Sequence, residues 1–263
     1  ATNQINLKVT GATAAAVDLN ALNGITAVNV QVDAKEVTGT IAQLGTAGTG
    51  LYALTTGFTG LADKNVKVTD TVVVATIGEL STILAGTKGV VTATANGTVA
   101  QLLTIANATS GKDALTLNII TDTTATASDL LTLDAKTSVK VDATALSVSG
   151  SAAQLKELAA AKGVQLAKDV ALTVTGTPAA ADLAAVLKAT TGVVKATVTA
   201  DTASALNSAL KDANSSDALD LTVNGTTASA KDLIALDGKT NVAIGLNVGA
   251  ITGNISELTN VFV

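Results

Sequence analysis

Residues 5–44, INLKVTGATAAAVDLNALNGITAVNVQVDAKEVTGTIAQL, and residues 219–258, LDLTVNGTTASAKDLIALDGKTNVAIGLNVGAITGNISEL, align without a gap, with 17 of 40 positions identical. A third copy opens at residues 124–137, TATASDLLTLDAKT, which echo 227–240, TASAKDLIALDGKT, and it runs on to Leu155. Repetition on this scale marks a chain whose units cannot each bury their own apolar face and must share a core by stacking.

A shorter period lies inside the copies. A leucine preceded by Asp, Gln or Glu recurs at Leu19, Leu44, Leu80, Leu102, Leu130, Leu155, Leu183, Leu233 and Leu258, and Leu206 fits the series by position. The spacing is roughly 26 residues, in the range of solenoid repeats. Each unit opens with apolar/polar alternation, as in Val170-Ala171-Leu172-Thr173-Val174-Thr175 or Leu219-Asp220-Leu221-Thr222-Val223. Period-two alternation rich in Val and Thr predicts a strand with one buried face.

Helix starts follow. Thr40-Ile41-Ala42-Gln43, Thr98-Val99-Ala100-Gln101, Ser151-Ala152-Ala153-Gln154, Thr76-Ile77-Gly78-Glu79 and Asn254-Ile255-Ser256-Glu257 fit the capping box. There the first side chain accepts from the third helical N–H and the Gln or Glu reaches back. Pro178, the only proline, is expected at the first helical position after Thr177. Apolar residues then recur at helical spacing, as at Leu155, Leu158 and Ala159 or Leu183, Val186 and Leu187. Gly24, Gly89, Gly163, Gly192 and Gly238 are expected as C-caps.

These signals predict an α/β fold. One elongated solenoid domain over 1–263 is expected, with about ten strand–helix units of roughly 26 residues and stacked parallel strands. A right-handed β-helix with short helical corners is the alternative. Residues 45–65, GTAGTGLYALTTGFTGLADKN, read as an insertion that lengthens one unit by about ten residues.

Composition narrows the chemistry. Hydrophobic residues make up 48% but aromatics only 1%, so the core must come from Val, Leu, Ile and Ala. Such small side chains suit thin stacked layers. His, Cys, Met and Trp are absent, and every basic residue is Lys. Without His and Cys, the usual general base and the thiolate metal ligands are missing. No P-loop, GxSxG elbow or GxGxxG stands in a suitable context, so an enzyme is not expected. A net charge of −5 without Arg argues against nucleic acid and anionic membranes. No apolar run is long enough to span a bilayer.

Three features remain as candidate sites. Asp33, Asp70, Asp122, Asp142 and Asp201, near strand ends, offer hard oxygen ligands for Ca²⁺ between coils. Their spacing to the helix leucine is irregular, and solvated faces or caps are the plainer reading. Thr92 and Thr94, Thr173 and Thr175, and Thr197 and Thr199 offer Thr-x-Thr pairs of the kind that present hydroxyls to ice. Lys8, Ser147, Asp220 and Asn224 interrupt that face. Tyr52 and Phe58 in the insertion, and Phe262, are the aromatics on which partner binding would draw; a local cover over the core is the plainer reading of the first two.

The VxVxG-T/S-x-A-Q-L units, with a bias to Ala, Thr, Val, Leu, Gly and Asp and no sulfur, resemble the repeat regions of secreted bacterial surface proteins. Surface-layer and type I-secreted adhesin-like proteins are the nearest in style. The resemblance implies export, assembly at the cell surface or in a matrix, contact with cell-surface polysaccharide, and often calcium. A chain without Met is expected to be processed or to be a fragment of a longer array. Neither end carries a distinct polar cap, and Val261-Phe262-Val263 is apolar, so homotypic stacking end to end is the expectation. An adhesin-like ligand-binding module is the competing expectation, with ice binding a minor variant.

Overall fold

A computed structural model describes residues 3–106 and 113–261. Phe262, one of the partner-binding candidates, lies outside them. In chain order the elements are β1 (Lys8–Val9), β2 (Thr13–Ala15), α1 (Ala16–Ile25), β3 (Val30–Val32), β4 (Glu36–Gly39), α2 (Ile41–Gly45), β5 (Phe58–Thr59) and β6 (Asn65–Val72). Then come α3 (Ile77–Gly86), β7 (Val91–Gly97), α4 (Val99–Leu103), β8 (Ala114–Ile119), β9 (Thr124–Thr126), α5 (Ala127–Asp134), β10 (Val141–Asp142) and β11 (Ser147–Gly150). The remainder are α6 (Ala152–Ala160), β12 (Val164–Gln165), β13 (Leu172–Val174), α7 (Ala180–Ala189), β14 (Val194–Thr197), α8 (Ala203–Ala209), β15 (Ala218–Asp220), β16 (Thr222–Ser229), α9 (Ala230–Asp237), β17 (Gly245–Thr252) and α10 (Ile255–Val261).

The result is a mixed α/β structure of alternating strand–helix units. Every strand pair is parallel, and no sheet closes into a barrel among the described residues. Two compact units form. The first comprises residues 1–122, 129–142 and 162–165, and holds the sheets β1-β3-β5 and β2-β4-β6-β7-β8-β10-β12. The second comprises 123–128, 143–161 and 166–263, and holds β9-β11-β13-β14-β15 and the pair β16-β17.

Register carries the sequence period into space. Lys8 pairs with Gln31, Thr92 with Ala114, Val148 with Leu172 and Thr222 with Gly245, steps of 22 to 24 residues. Across the 45–65 insertion the step is longer: Val30 pairs with Phe58 and Glu36 with Asn65. The insertion therefore adds five or six residues to one turn of chain, fewer than the ten that sequence spacing predicts.

The core is the repeating leucine and its neighbours. Leu19, Leu44, Leu80, Leu102, Leu130, Leu155, Leu183, Leu206 and Leu233 are all buried. Each such burial is worth about 1.5–3 kcal/mol. Beneath them lie inward strand residues such as Val30, Val32, Val37, Val66, Val148, Leu172 and Val174. Leu258 alone in the series stays half-exposed.

Capping boxes form at Thr40, Thr98 and Ser151 as predicted. At Asn254 both reciprocal bonds are also present, Glu257 N to Asn254 Oδ1 at 2.9 Å and Asn254 N to Glu257 Oε2 at 3.0 Å. Thr76 departs from the pattern. A single 3-10 turn, Val74–Thr76, precedes α3, and the Thr76 hydroxyl turns back to bond Val73 instead. Pro178 also departs, because α7 begins at Ala180 with Ala179 as its cap.

Of the glycines expected as C-caps, Gly238 does cap α9, in right-handed rather than left-handed backbone. None of Gly24, Gly89, Gly163, Gly192 and Gly238 has the left-handed conformation usual for a glycine C-cap. Helices α1, α3 and α7 end on Thr26, Thr87 and Thr190 instead. Gly89 and Gly192 follow two residues later, where a Cβ would stand 2.2 Å from the Lys64 carbonyl oxygen and 2.1 Å from that of Asp169. Backbone of the preceding turn of chain presses against them, and no side chain fits.

Candidate functional site

The polar side chains with defined partners mostly tie one turn of chain to the next. At the exits of α1, α3, α5, α7 and α9 a threonine hydroxyl donates to a carbonyl 20 to 23 residues back: Thr26 to Ile5 (2.7 Å), Thr87 to Lys64 (2.6 Å), Thr137 to Leu115 (2.7 Å), Thr190 to Val170 (2.6 Å) and Thr240 to Leu219 (2.7 Å). The same oxygen accepts the N–H two residues on, from Val28, Gly89, Val139, Gly192 and Val242. Thr26, Thr87 and Thr240 are buried. A threonine in this role satisfies backbone groups that a closed core would otherwise leave unpaired.

The candidate calcium residues are placed individually. Asp70 Oδ1 accepts from Ile41 N at 2.7 Å, and Asp122 Oδ2 from Val99 N at 2.6 Å. Ile41 and Val99 are the first residues of α2 and α4, so each carboxylate sits at a helix N-terminus donated by an earlier part of the chain. Asp201 accepts from the neighbouring Thr202 N at 2.7 Å. Asp33 pairs with Lys8 Nζ at 2.6 Å and takes a bond from Gln31 Nε2 at 3.0 Å. The hydrogen bond from Lys8 holds the Asp33 carboxyl below its ordinary range. Asp142 is exposed on β10, in register with Asn118 and Gln165. Among the described residues no three acidic side chains converge on a position that could hold a metal ion.

Two buried carboxylates have similar structural roles, and sequence inspection passes over them. Asp113 Oδ1 accepts from Val91 N at 2.6 Å. Asp217 accepts from Val194 N at 2.8 Å and from Asn214 N at 3.0 Å. Lys136 and Lys239 direct their amines to the carbonyls of Ile105 and Leu210, at the ends of helical segments about thirty residues earlier. Burial pushes the Lys136 amine below its ordinary range. The signal for these residues was the pair Lys136-Thr137, repeated as Lys239-Thr240 in the aligned copies.

The Thr-x-Thr pairs form short rows of hydroxyls: Thr94 lies between Thr71 and Thr116, and Thr173 beside Ser149, which pairs in turn with Thr126. Thr92 lies between Lys67 and Ala114, Thr173 also beside Lys195, and Thr197 beside Asp220, so charged or apolar neighbours bound the rows.

The insertion folds over α2. Leu51 N and Tyr52 N donate to the Gln43 and Leu44 carbonyls at 2.9 and 2.8 Å. Tyr52 lies against Gly86, and a cavity of about 230 Å³ is lined by Leu51, Tyr52, Leu54, Phe58, Leu61 and Gly86. The Tyr52 hydroxyl is buried with no hydrogen-bond partner among the described residues. Burial, with Asp63 adding a smaller repulsion, pushes its phenol well above the ordinary tyrosine range. Phe58 is half-buried on β5.

Two further hollows lie in the second unit. One of about 620 Å³ runs between α6 and α7 over Ala152, Ala153, Lys156, Pro178, Ala181 and Asp182. The other, of about 330 Å³, is bounded by Leu233, Ile234, Asp237, Ile244, Leu246 and Val261. No described helix is long and apolar enough to cross a membrane. No family model, curated protein or solved structure matches this chain.

Proposed function

We propose that the chain is a non-enzymatic structural protein of a bacterial cell surface or extracellular matrix, a stacked solenoid that associates with copies of itself. The observation that carries this is the threonine at the exits of α1, α3, α5, α7 and α9. Together with the Asp caps and Lys caps, it ties successive turns of chain to one another within each unit. Polar chemistry that a catalytic or binding site would direct outward is directed here at neighbouring backbone. Solenoids built this way derive stability from contacts between neighbouring repeats, and they extend by adding more of the same.

Negative-stain electron microscopy of the purified chain, with and without millimolar calcium, tests this proposal. Filaments or sheets support it, and growth that needs calcium would give the strand-end aspartates Asp33, Asp70, Asp122, Asp142 and Asp201 a ligand role. Isolated particles at every concentration in both conditions overturn it.

A second reading is an adhesin-like module that binds ligand, such as a surface polysaccharide, through the 45–65 segment. The hollow beside Tyr52 and Phe58 favours it. A glycan-binding screen in which Tyr52→Ala abolishes a positive signal would support this alternative.

A further inference from the structure

The gapless copies differ in what covers them. In residues 28–44, Val30, Val32, Ala34, Val37, Ile41 and Leu44 are buried. Their counterparts are Ile244, Leu246, Val248, Ile251, Ile255 and Leu258, and all are half or fully exposed. Ile41 is 4% exposed and Ile255 87%; Val32 is 0% exposed and Leu246 45%. The cause is the next turn of chain. Strands β3 and β4 are flanked on their outer sides by β5 and β6, whereas among the described residues β17 pairs with β16 alone, which leaves one edge of its eight-residue length without a strand. A long free edge beside apolar side chains is a template for another strand.

Taking the chain as a self-associating scaffold, as above, we propose that a second copy covers this face. Its β1 and β2 add in parallel to the free edge of β17, and its α1 comes to rest beside α10. The shape that fits is known from the molecule itself: in residues 28–44 the same face is covered by another turn of the same repeat.

The supply side fits as well. Among the described residues, strands β1 and β2 terminate their sheets, each paired on one side only. Close by, Ile5 and Ile25 are each 57% exposed. Strand β16 is the counterpart of β1 and β2, down to the left-handed glycine between them, Gly11 at φ 128° and Gly225 at φ 145°. The β16–β17 stagger is 23 residues, as it is for β1–β3 and β2–β4. Repeating it would place the partner's Lys8 opposite Gly245 and its Thr13 opposite Ala250. The two edges differ, so the contact is head-to-tail and does not close on itself.

Analytical ultracentrifugation of the whole chain tests the proposal. The unaltered protein should grow in mass with concentration. Leu246→Lys/Ile255→Asp should remain monomeric, and so should Ile5→Lys/Ile25→Lys. Mixed together, the two variants should form a dimer and nothing larger, since each keeps one intact edge. Circular dichroism checks that each variant is folded.

The chain has no cysteine, so Thr10→Cys and Asn247→Cys, both on exposed residues, give a second readout that leaves the apolar face intact. Under oxidation they should cross-link to each other and neither to itself. Growth that persists in both charged variants, with no cross-link, overturns the docking surface while leaving self-association standing. Growth that stops at a dimer through Asn247→Cys alone indicates a symmetric β17 pair and also overturns it. A monomeric unaltered protein overturns both the surface and the function on which it rests.

Discussion

Ile41 and Ile255 occupy the same position in two copies of one sequence. Each is the first helical residue after a capping box, and each is followed three positions later by the repeat leucine. One is sealed and the other lies open to water. The difference shows that burial in this protein belongs to the neighbouring turn of chain more than to the unit. In the first copy, β5, β6, α3 and the 45–65 segment supply the cover. In the second, the described residues supply cover on one side only.

The largest expected effect breaks that comparison directly. Ile41→Ala removes packed atoms from a closed core and should destabilise the protein by about 2–4 kcal/mol. Ile255→Ala should cost under about 0.5 kcal/mol, because the side chain already faces solvent. Urea unfolding measured on dilute, monomeric protein checks both. Equal costs would mean that Ile255 is covered in solution.

The exit threonines supply the control. Thr26 and Thr240 are equivalent in the two copies, and both are buried by the turn that precedes them. Replacing either with Val keeps the volume but strands the N–H of Val28 at Thr26, and those of Val242 and Leu219 at Thr240. Thr26→Val should cost about 1–3 kcal/mol, and Thr240→Val at least as much although it lies in the copy with the open face. A much smaller cost at Thr240 would place the asymmetry in the first half of each copy as well, and would weaken the account based on a missing cover.

Caps should fall between these extremes. Thr40→Ala loses the bond to Gln43 N in a helix whose first N–H is also held by Asp70, and should cost about 1 kcal/mol. Asn254→Ala loses the same bond in α10, which buries no residue. A few tenths of a kcal/mol is expected there, because a fraying helix has little stability to lose.

How much of this was legible follows from range. The repeat leucines, the strands and four of the capping boxes are local patterns, visible within a few residues. Asp70 and Asp122 were visible as strand-end acids, but their role depends on an N–H 29 or 23 residues earlier. The exit threonines are of the same kind: nothing near Thr190 in sequence points to the Val170 carbonyl. Gly89 and Gly192 misled because a Gly after a helix usually signals a left-handed cap, whereas here they answer to backbone pressing from the previous turn. Thr76 misled because the 3-10 turn ahead of it claims its hydroxyl. The partition into two units, and the open face of β17, arise only once turns are placed side by side.

The last effect concerns the cover itself. Tyr52 helps close the first copy, yet its hydroxyl is buried without a partner among the described residues. Tyr52→Phe removes that unpaired group and should stabilise the protein by about 0.5–1 kcal/mol. The pH dependence has a definite sign. Burial raises the folded phenol's pKa above that of the unfolded chain, so the folded state favours the protonated form. Stability linked to Tyr52 is therefore fully present below the unfolded value of about 10 and is lost as pH rises beyond it. Because Tyr52 is the only tyrosine and there is no Trp, phenolate absorbance reports this one group. Its titration should be delayed in the folded protein and return to about 10 in denaturant, and the alkaline loss of stability should be smaller in Tyr52→Phe. A normal titration in the folded protein would mean that the 45–65 segment opens in solution, and that the first copy is covered less firmly than the comparison requires.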